Sequence, residues 1–170
     1  AALQDAMGRV QAIAVVHEIL SQSFAGAVAF DDIIDRLLRH VGDVAASRGK
    51  VHTVRMGSFG DVPAAEATSL SLIVSELCQN AVEHGYGSGS GTVRVTPHRE
   101  RGRLIVEVSD DGVGIPDGFD VADAGRTSLG LSIVTTLVQD LHGTFLLRRN
   151  PNGGSTAVVE IPMTRTSAPL

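Results

Sequence analysis

In the run Arg103-Leu104-Ile105-Val106-Glu107-Val108, the apolar residues Leu104, Val106 and Val108 fall at every second position, the period of a strand with one face in a core. It leads directly into Ser109-Asp110-Asp111-Gly112-Val113-Gly114-Ile115-Pro116. A chain built this way delivers paired acids and two spaced glycines onto a loop at the end of a strand. Glycine admits backbone conformations closed to other residues and lets a flat ligand approach the main chain. An ionised carboxylate accepts hydrogen bonds and donates none, which suits a ring that carries an amino group. Acidic, Gly-rich turns also terminate ordinary strands, so this loop alone leaves both readings open.

The 170 residues give room for one domain with a sizeable core and a short appendage. With 43% hydrophobic and 19% charged residues the composition is that of a soluble globular chain. A net charge of -5 argues against a nucleic-acid surface, so no nucleic-acid partner is expected. The single Cys78 rules out an internal disulfide and a multi-cysteine metal site, and fits a reducing, cytoplasmic setting. No apolar run approaches the roughly 20 residues that span a bilayer, and no signal peptide is visible. The opening in helix-like sequence without Met predicts a piece of something longer.

Leu3, Val10, His17 and Phe24 recur every seven residues, with Ala6, Ile13 and Leu20 at the complementary offset. This predicts an amphipathic helix over 2–22 that packs against other helices. After a linker over 21–29, Phe30, Ile33, Ile34, Leu37, Leu38, Val41 and Val44 form the apolar face of a second helix. Asp31 and Asp32 lie in its first turn, where carboxylates suit the macrodipole, and Gly49 is its expected stop. A strand over 51–56 and a turn over 57–61 follow, then Pro63 in the first turn of a third helix. Leu70, Ile73, Val74, Leu77 and Ala81 line one face of that helix. Glu76 and Asn80 share another face, Glu83 and His84 come one turn later, and Gly85 and Gly87 end it. Strands over 92–98 and 103–109 pair as a hairpin around 99–102. Residues 117–127 read as a mobile surface loop. A fourth helix starts at Thr127-Ser128-Leu129-Gly130-Leu131, and strands over 144–149 and 155–161 close the chain.

Glu76 and Asn80, one helical turn apart, can address one bound group. The amide oxygen of Asn80 is a hard ligand suited to Mg²⁺, which takes few protein ligands beside phosphates and water. Glu76 can orient a nucleophile or hold a metal-bound water; equally, a polar helical face is often simply solvated. Gly130 opens a helix whose free N–H groups suit a phosphate, or else marks a tight packing contact.

In order, Glu-x-x-x-Asn on a helix, Asp-Gly-x-Gly after a strand and Ser-Leu-Gly-Leu entering a helix resemble one known fold. It is the nucleotide-binding fold of the GHKL, or Bergerat, superfamily: bacterial sensor histidine kinases, gyrase-type topoisomerases, Hsp90 and MutL. The resemblance covers about residues 30–163. Glu76-Leu77-Cys78-Gln79-Asn80-Ala81-Val82-Glu83-His84 resembles the N box and Asp110-Asp111-Gly112-Val113-Gly114-Ile115-Pro116 the G1 box. Thr127-Ser128-Leu129-Gly130-Leu131 resembles a shortened G2 box, and Gly153-Gly154-Ser155-Thr156 the closing glycine–threonine element. The resemblance implies an α+β fold, a two-layer sandwich whose mixed, mostly antiparallel sheet carries helices on one face. It implies ATP and Mg²⁺ as cofactors. Asp111 would bind the adenine amino group, Gly112 and Gly114 would admit the base, and Thr156 would support it. Asn80 would ligate Mg²⁺ and Glu76 would sit beside the transferred phosphoryl group. Ser128, Leu129, Gly130 and Leu131 would cover the phosphates, His84 would lie near the nucleotide, and 117–127 would be the ATP lid.

The front end resembles two-component kinases, actinobacterial ones above all, whose phosphoacceptor lies in a His-Arg-x-Lys-Asn motif absent from this sequence. That implies a partial dimerisation and phosphotransfer helix over 1–25, a catalytic domain over 26–165 and a disordered tail over 166–170. The implied activity is transfer of the ATP γ-phosphate to an upstream histidine and then to a response regulator, in a full-length homodimer. His17-Glu18 superficially matches another phosphoacceptor box, but His17 falls in the apolar seam and no Pro follows where expected, so it reads as packing. His40, His52, His98 and His142 lack metal-ligand spacing, and Cys78 reads as a small core residue. Two alternatives share the boxes: an anti-sigma-factor serine/threonine kinase, which generally lacks the leading heptad helix, and a degenerate nucleotide-binding module that only regulates.

Overall fold

The computed structural model describes residues 30–46, 50–86, 89–121 and 128–163, with single positions 10, 14 and 18. The expected first helix apart from positions 10, 14 and 18, which are helical, and Gly49, Gly87, the 122–127 part of the loop and the 166–170 tail lie outside the described residues. Helix α1 (Phe30–Ala46) leads to β1 (Lys50–Arg55), α2 (Ala64–Gly85), β2 (Ser90–Glu100) and β3 (Arg103–Asp110). Helix α3 (Leu129–Asp140), β4 (Thr144–Arg149) and β5 (Ser155–Pro162) follow. The sheet runs β1-β2-β3-β5-β4, with β1 parallel to β2 and every other pair antiparallel. This is the mixed, mostly antiparallel α+β sheet that the boxes imply.

Alternation in β3 sets the layering. Leu104, Val106 and Val108 are buried, and their cross-strand partners on β5 are Ile161, Val159 and Ala157, all buried too. Val93 and Val95 extend this face onto β2. Against it pack Ile33, Ile34 and Leu38 of α1, Leu70, Ile73 and Val74 of α2, and Val134 and Val138 of α3. Among the described residues no helix is long and apolar enough to cross a membrane.

The segment expected as a turn, 57–61, carries Phe59 into the core, fully buried. Its ring meets Phe30 edge-on, centroids 5.1 Å apart. Asp31 accepts the Phe59 N–H at 2.8 Å and the Ser58 hydroxyl at 2.6 Å, so an acid expected to serve the helix dipole anchors this segment as well. Beside it Arg55 grips Asp35 through Nε and Nη2 at 2.8 and 2.9 Å, and that hydrogen bonding, against burial, holds the Asp35 carboxyl below its usual range. Pro63 caps α2 rather than entering its first turn, its carbonyl accepting Glu66 and Ala67 N–H groups, both at 3.0 Å.

The described part of α3 ends through a left-handed residue that is not glycine, His142 with φ 55°. Its N–H donates to the Gln139 carbonyl at 2.9 Å, and Gly143 N–H to the Val138 carbonyl at 2.8 Å, which closes the last turn. His142→Gly removes the Cβ strain of that conformation and is expected to stabilise the fold by about 1 kcal/mol, about 2–4 °C in a thermal melt. An unchanged or lower melting temperature would count against this cap geometry.

Candidate functional site

A cavity of about 450 Å³ opens between α2, the loop after β3 and the start of α3, within the size range of small-molecule sites. Leu77, Asn80, Ala81, His84 and Gly85 form its α2 wall, the first four in the i, i+3, i+4, i+7 stripe of one helical face. Glu76 lies one turn before Asn80, about 40° round the helix from it. It is buried and has an interaction of its own, and it is not among the residues that line the cavity.

The strand end delivers one acid to the cavity, and it is Asp110. Successive strand residues point to opposite faces; Val108 points inward, so Asp110 does too and Asp111 does not. Asp110 is 7% exposed and lines the cavity. Its Oδ1 accepts the Gly112 N–H at 2.9 Å and its Oδ2 the Ser155 N–H at 3.2 Å. Burial raises its carboxyl above the usual carboxylate range, and those two N–H donors work against the rise. Asp111, expected to meet the base, faces away. Its Oδ1 accepts the Thr92 N–H at 2.8 Å, and its Oδ2 lies 3.9 Å from Arg94 Nη1. Burial pushes the Asp111 carboxyl up, but the Thr92 N–H and Tyr86 hydroxyl outweigh it and leave it below the usual range.

The same one-residue slip corrects Thr156. Ser155 and Ala157 face the cavity, whereas the Thr156 hydroxyl donates to Asn150 Oδ1 at 2.8 Å, off the wall. Gly112 is not on the wall either; it lies against the end of α2, where a Cβ would overlap the Gly85 carbonyl. Next to it Val113 N–H donates to that carbonyl at 2.8 Å. Gly114 lines the cavity at φ 76°, a conformation that favours glycine.

At the start of α3, Ser128 is the N-cap, its hydroxyl accepting the Leu131 N–H at 3.5 Å, and both residues line the cavity. Leu129 is 62% exposed and Gly130 is buried, and neither is on the wall. Asp110, Ser155 and Phe119 are wall residues that motif spacing missed. Counting the β3 alternation forward from Leu104 finds the first, and the lone aromatic in an acidic loop flags the last. Cys78 is fully buried, its thiol pushed up to about 12 by burial, which makes it a core residue and not a nucleophile.

Two observations bear on bound groups. The Asn80 amide nitrogen is buried with no hydrogen-bond partner, so this wall residue holds unspent polar capacity. Among the described residues no group of three or more His, Cys, Asp or Glu could enclose a metal ion. A cation here would thus lean on one or two side chains plus ligand oxygens, the habit of Mg²⁺.

Residues 65–165 match the family described as histidine kinase-, DNA gyrase B- and HSP90-like ATPase, and residues 1–45 match a family described as histidine kinase. The sensor histidine kinase PdtaS of Mycolicibacterium smegmatis is 38% identical over 98% of this chain and 34% of its own length. The blue-light-activated histidine kinase 2 of Erythrobacter litoralis is 32% identical over 90% of this chain and 44% of its own. The chain therefore spans between a third and a half of the length of these two relatives. Among solved structures, the histidine kinase domain of the Erythrobacter litoralis EL346 blue-light-activated kinase superposes with a TM-score of 0.74 at 28% identity. That match covers 92% of this chain and 74% of the other.

Proposed function

Because this chain belongs to the histidine kinase-, DNA gyrase B- and HSP90-like ATPase family, in its sensor histidine kinase branch, we propose that the cavity binds ATP for phosphoryl donation. The acceptor is a histidine of the same kinase's phosphoacceptor helix, and a response regulator takes the group from there, within a homodimer of the whole kinase. The observation that carries the reading is the Asp110 carboxylate. Two main-chain N–H groups hold it at the cavity wall. A carboxylate has about four acceptor positions, so sites remain for the amino group of adenine. Gly114 lets the base approach the loop, and Ser155 supports Asp110 from β5. Ser128 and Leu131 stand at the phosphate end, with the first turn of α3 offering its N–H groups. Asn80 holds Mg²⁺, which neutralises charge on the phosphates. The heptad-like front end and the match over residues 1–45 favour this reading over an anti-sigma-factor kinase.

Titration calorimetry of the chain with a non-hydrolysable ATP analogue tests the proposal. Saturable binding, strengthened by Mg²⁺, is expected, and Asn80→Ala is expected to lose about tenfold in affinity with Mg²⁺ present and little without it. No binding by the folded chain, or an Asn80→Ala loss equal with and without Mg²⁺, would refute the respective assignment.

A further inference from the structure

Asp111 faces away from the cavity into a cluster that joins three segments. Tyr86 directly follows α2 and is 9% exposed. Its hydroxyl lies 2.7 Å from Asp111 Oδ1 and 2.8 Å from the Thr92 carbonyl oxygen, sharing one proton between them. It accepts the Asp111 N–H at 3.1 Å, while Asp111 Oδ1 accepts the Thr92 N–H at 2.8 Å. The ring so closed ties the end of α2 to the start of β2 and to the first residue of the Gly-rich loop. Gly91 leaves it room, since a Cβ there would overlap both the Tyr86 ring and the Asp111 carboxylate. Burial, and then the hydrogen bond to Asp111, raise the Tyr86 phenol, so it stays protonated and able to donate.

Asp110 immediately precedes this tie, and the Val113 N–H to Gly85 carbonyl bond fastens the loop again three residues after it. The gap between the Asp110 carboxylate and the α2 wall is therefore set by how the loop docks on the end of α2. We propose that Tyr86 is a positioning residue for base recognition: with Asp111 it latches the loop to α2 and so aims Asp110 into the cavity. The proposal rests on the nucleotide reading above. Tyr86 itself touches no ligand. A tyrosine serving stability alone would lower affinity for every nucleotide alike, whereas a latch that aims Asp110 acts on the base.

ATP and ITP separate the two. ITP carries a carbonyl where ATP carries the amino group, so a well-aimed Asp110 favours ATP. The wild-type chain is expected to prefer ATP by about tenfold or more. Tyr86→Phe is expected to lower ATP affinity by about tenfold and ITP affinity far less, so the ratio falls towards one. Asp111→Ala should do the same, and the double variant should be no worse than either, because both break one unit. Asp111→Asn keeps an oxygen for Tyr86 and Thr92 and should retain the wild-type ratio. If Tyr86→Phe melts below the titration temperature, the Asp111→Ala and Asp111→Asn pair decides by the same ratio. A wild-type ratio in Tyr86→Phe or Asp111→Ala, with affinities equal or lowered together, would reduce Tyr86 to a structural residue. A wild-type chain that binds both nucleotides equally would overturn Asp110 as the group that reads the base, and the latch with it, whereas one that binds neither would overturn the nucleotide reading.

Discussion

Asp110→Asn is expected to lower nucleotide affinity by up to about 100-fold, the worth of a charge-assisted hydrogen bond of up to about 3 kcal/mol. The neighbouring Asp111→Asn should stay within about threefold of the wild type. The asymmetry follows from what each carboxylate already does. Both Asp110 oxygens accept main-chain N–H groups, from Gly112 and Ser155. An amide at this position must turn its NH₂ towards one of those donors, and it faces the ligand with a single oxygen and no charge. At position 111 the oxygen that matters meets Thr92 and Tyr86, and an amide oxygen can replace it. Calorimetry on both variants reads the difference directly. The reverse ranking would return base recognition to Asp111.

Phe59→Ala is expected to destabilise the chain by about 3–5 kcal/mol, the cost of emptying a fully buried aromatic site. Measured against the roughly 5–15 kcal/mol that holds a domain together, this is a large share. Phe59 is fully buried and packs edge-on to Phe30, while Asp31 and Arg99 bond its main chain from either side. Those polar anchors hold the backbone of the segment, so the site cannot readily collapse around the missing ring. Urea denaturation should show a lower midpoint with an unchanged slope. A loss below about 1 kcal/mol would place Phe59 outside the core. Because Phe59 is not on the cavity wall, the folded fraction should still bind nucleotide.

These residues show what the sequence makes legible and what it hides. The face of α2 is legible from spacing: Leu77, Ala81, Asn80 and His84 sit where a 3.6-residue period puts them, although from sequence the first two belong to an apolar face and the other two to a polar one, and the cavity draws on both. Strand β3 is equally legible, yet the motif alone points to Asp111, one residue beyond the strand's end at Asp110. Carrying the alternation of Leu104, Val106 and Val108 two positions further selects Asp110, and pairing against β5 likewise selects Ser155 over Thr156. Phe59 was hidden for a different reason. Flanked by Ser58, Gly57 and Gly60, it has no periodic neighbours, and its burial depends on Asp31 and Arg99, 28 and 40 positions away. Glu76 shares a helical turn with Asn80, and only its burial, which spacing does not show, sets it apart from the wall residues.

The strand β3 serves the protein as a ruler as much as a wall. Its eight residues measure the span from the hairpin to Asp110, and the same alternation that sinks Leu104, Val106 and Val108 decides which of two adjacent acids reaches the cavity. One residue gained or lost inside it would turn all four at once, casting the core into water and exchanging Asp110 for a neighbour. Core and recognition are thus written in a single register. Slips that would misaim the carboxylate also cost the fold, so a length change that preserves the domain has to fall outside this strand, where it leaves the aim of Asp110 untouched.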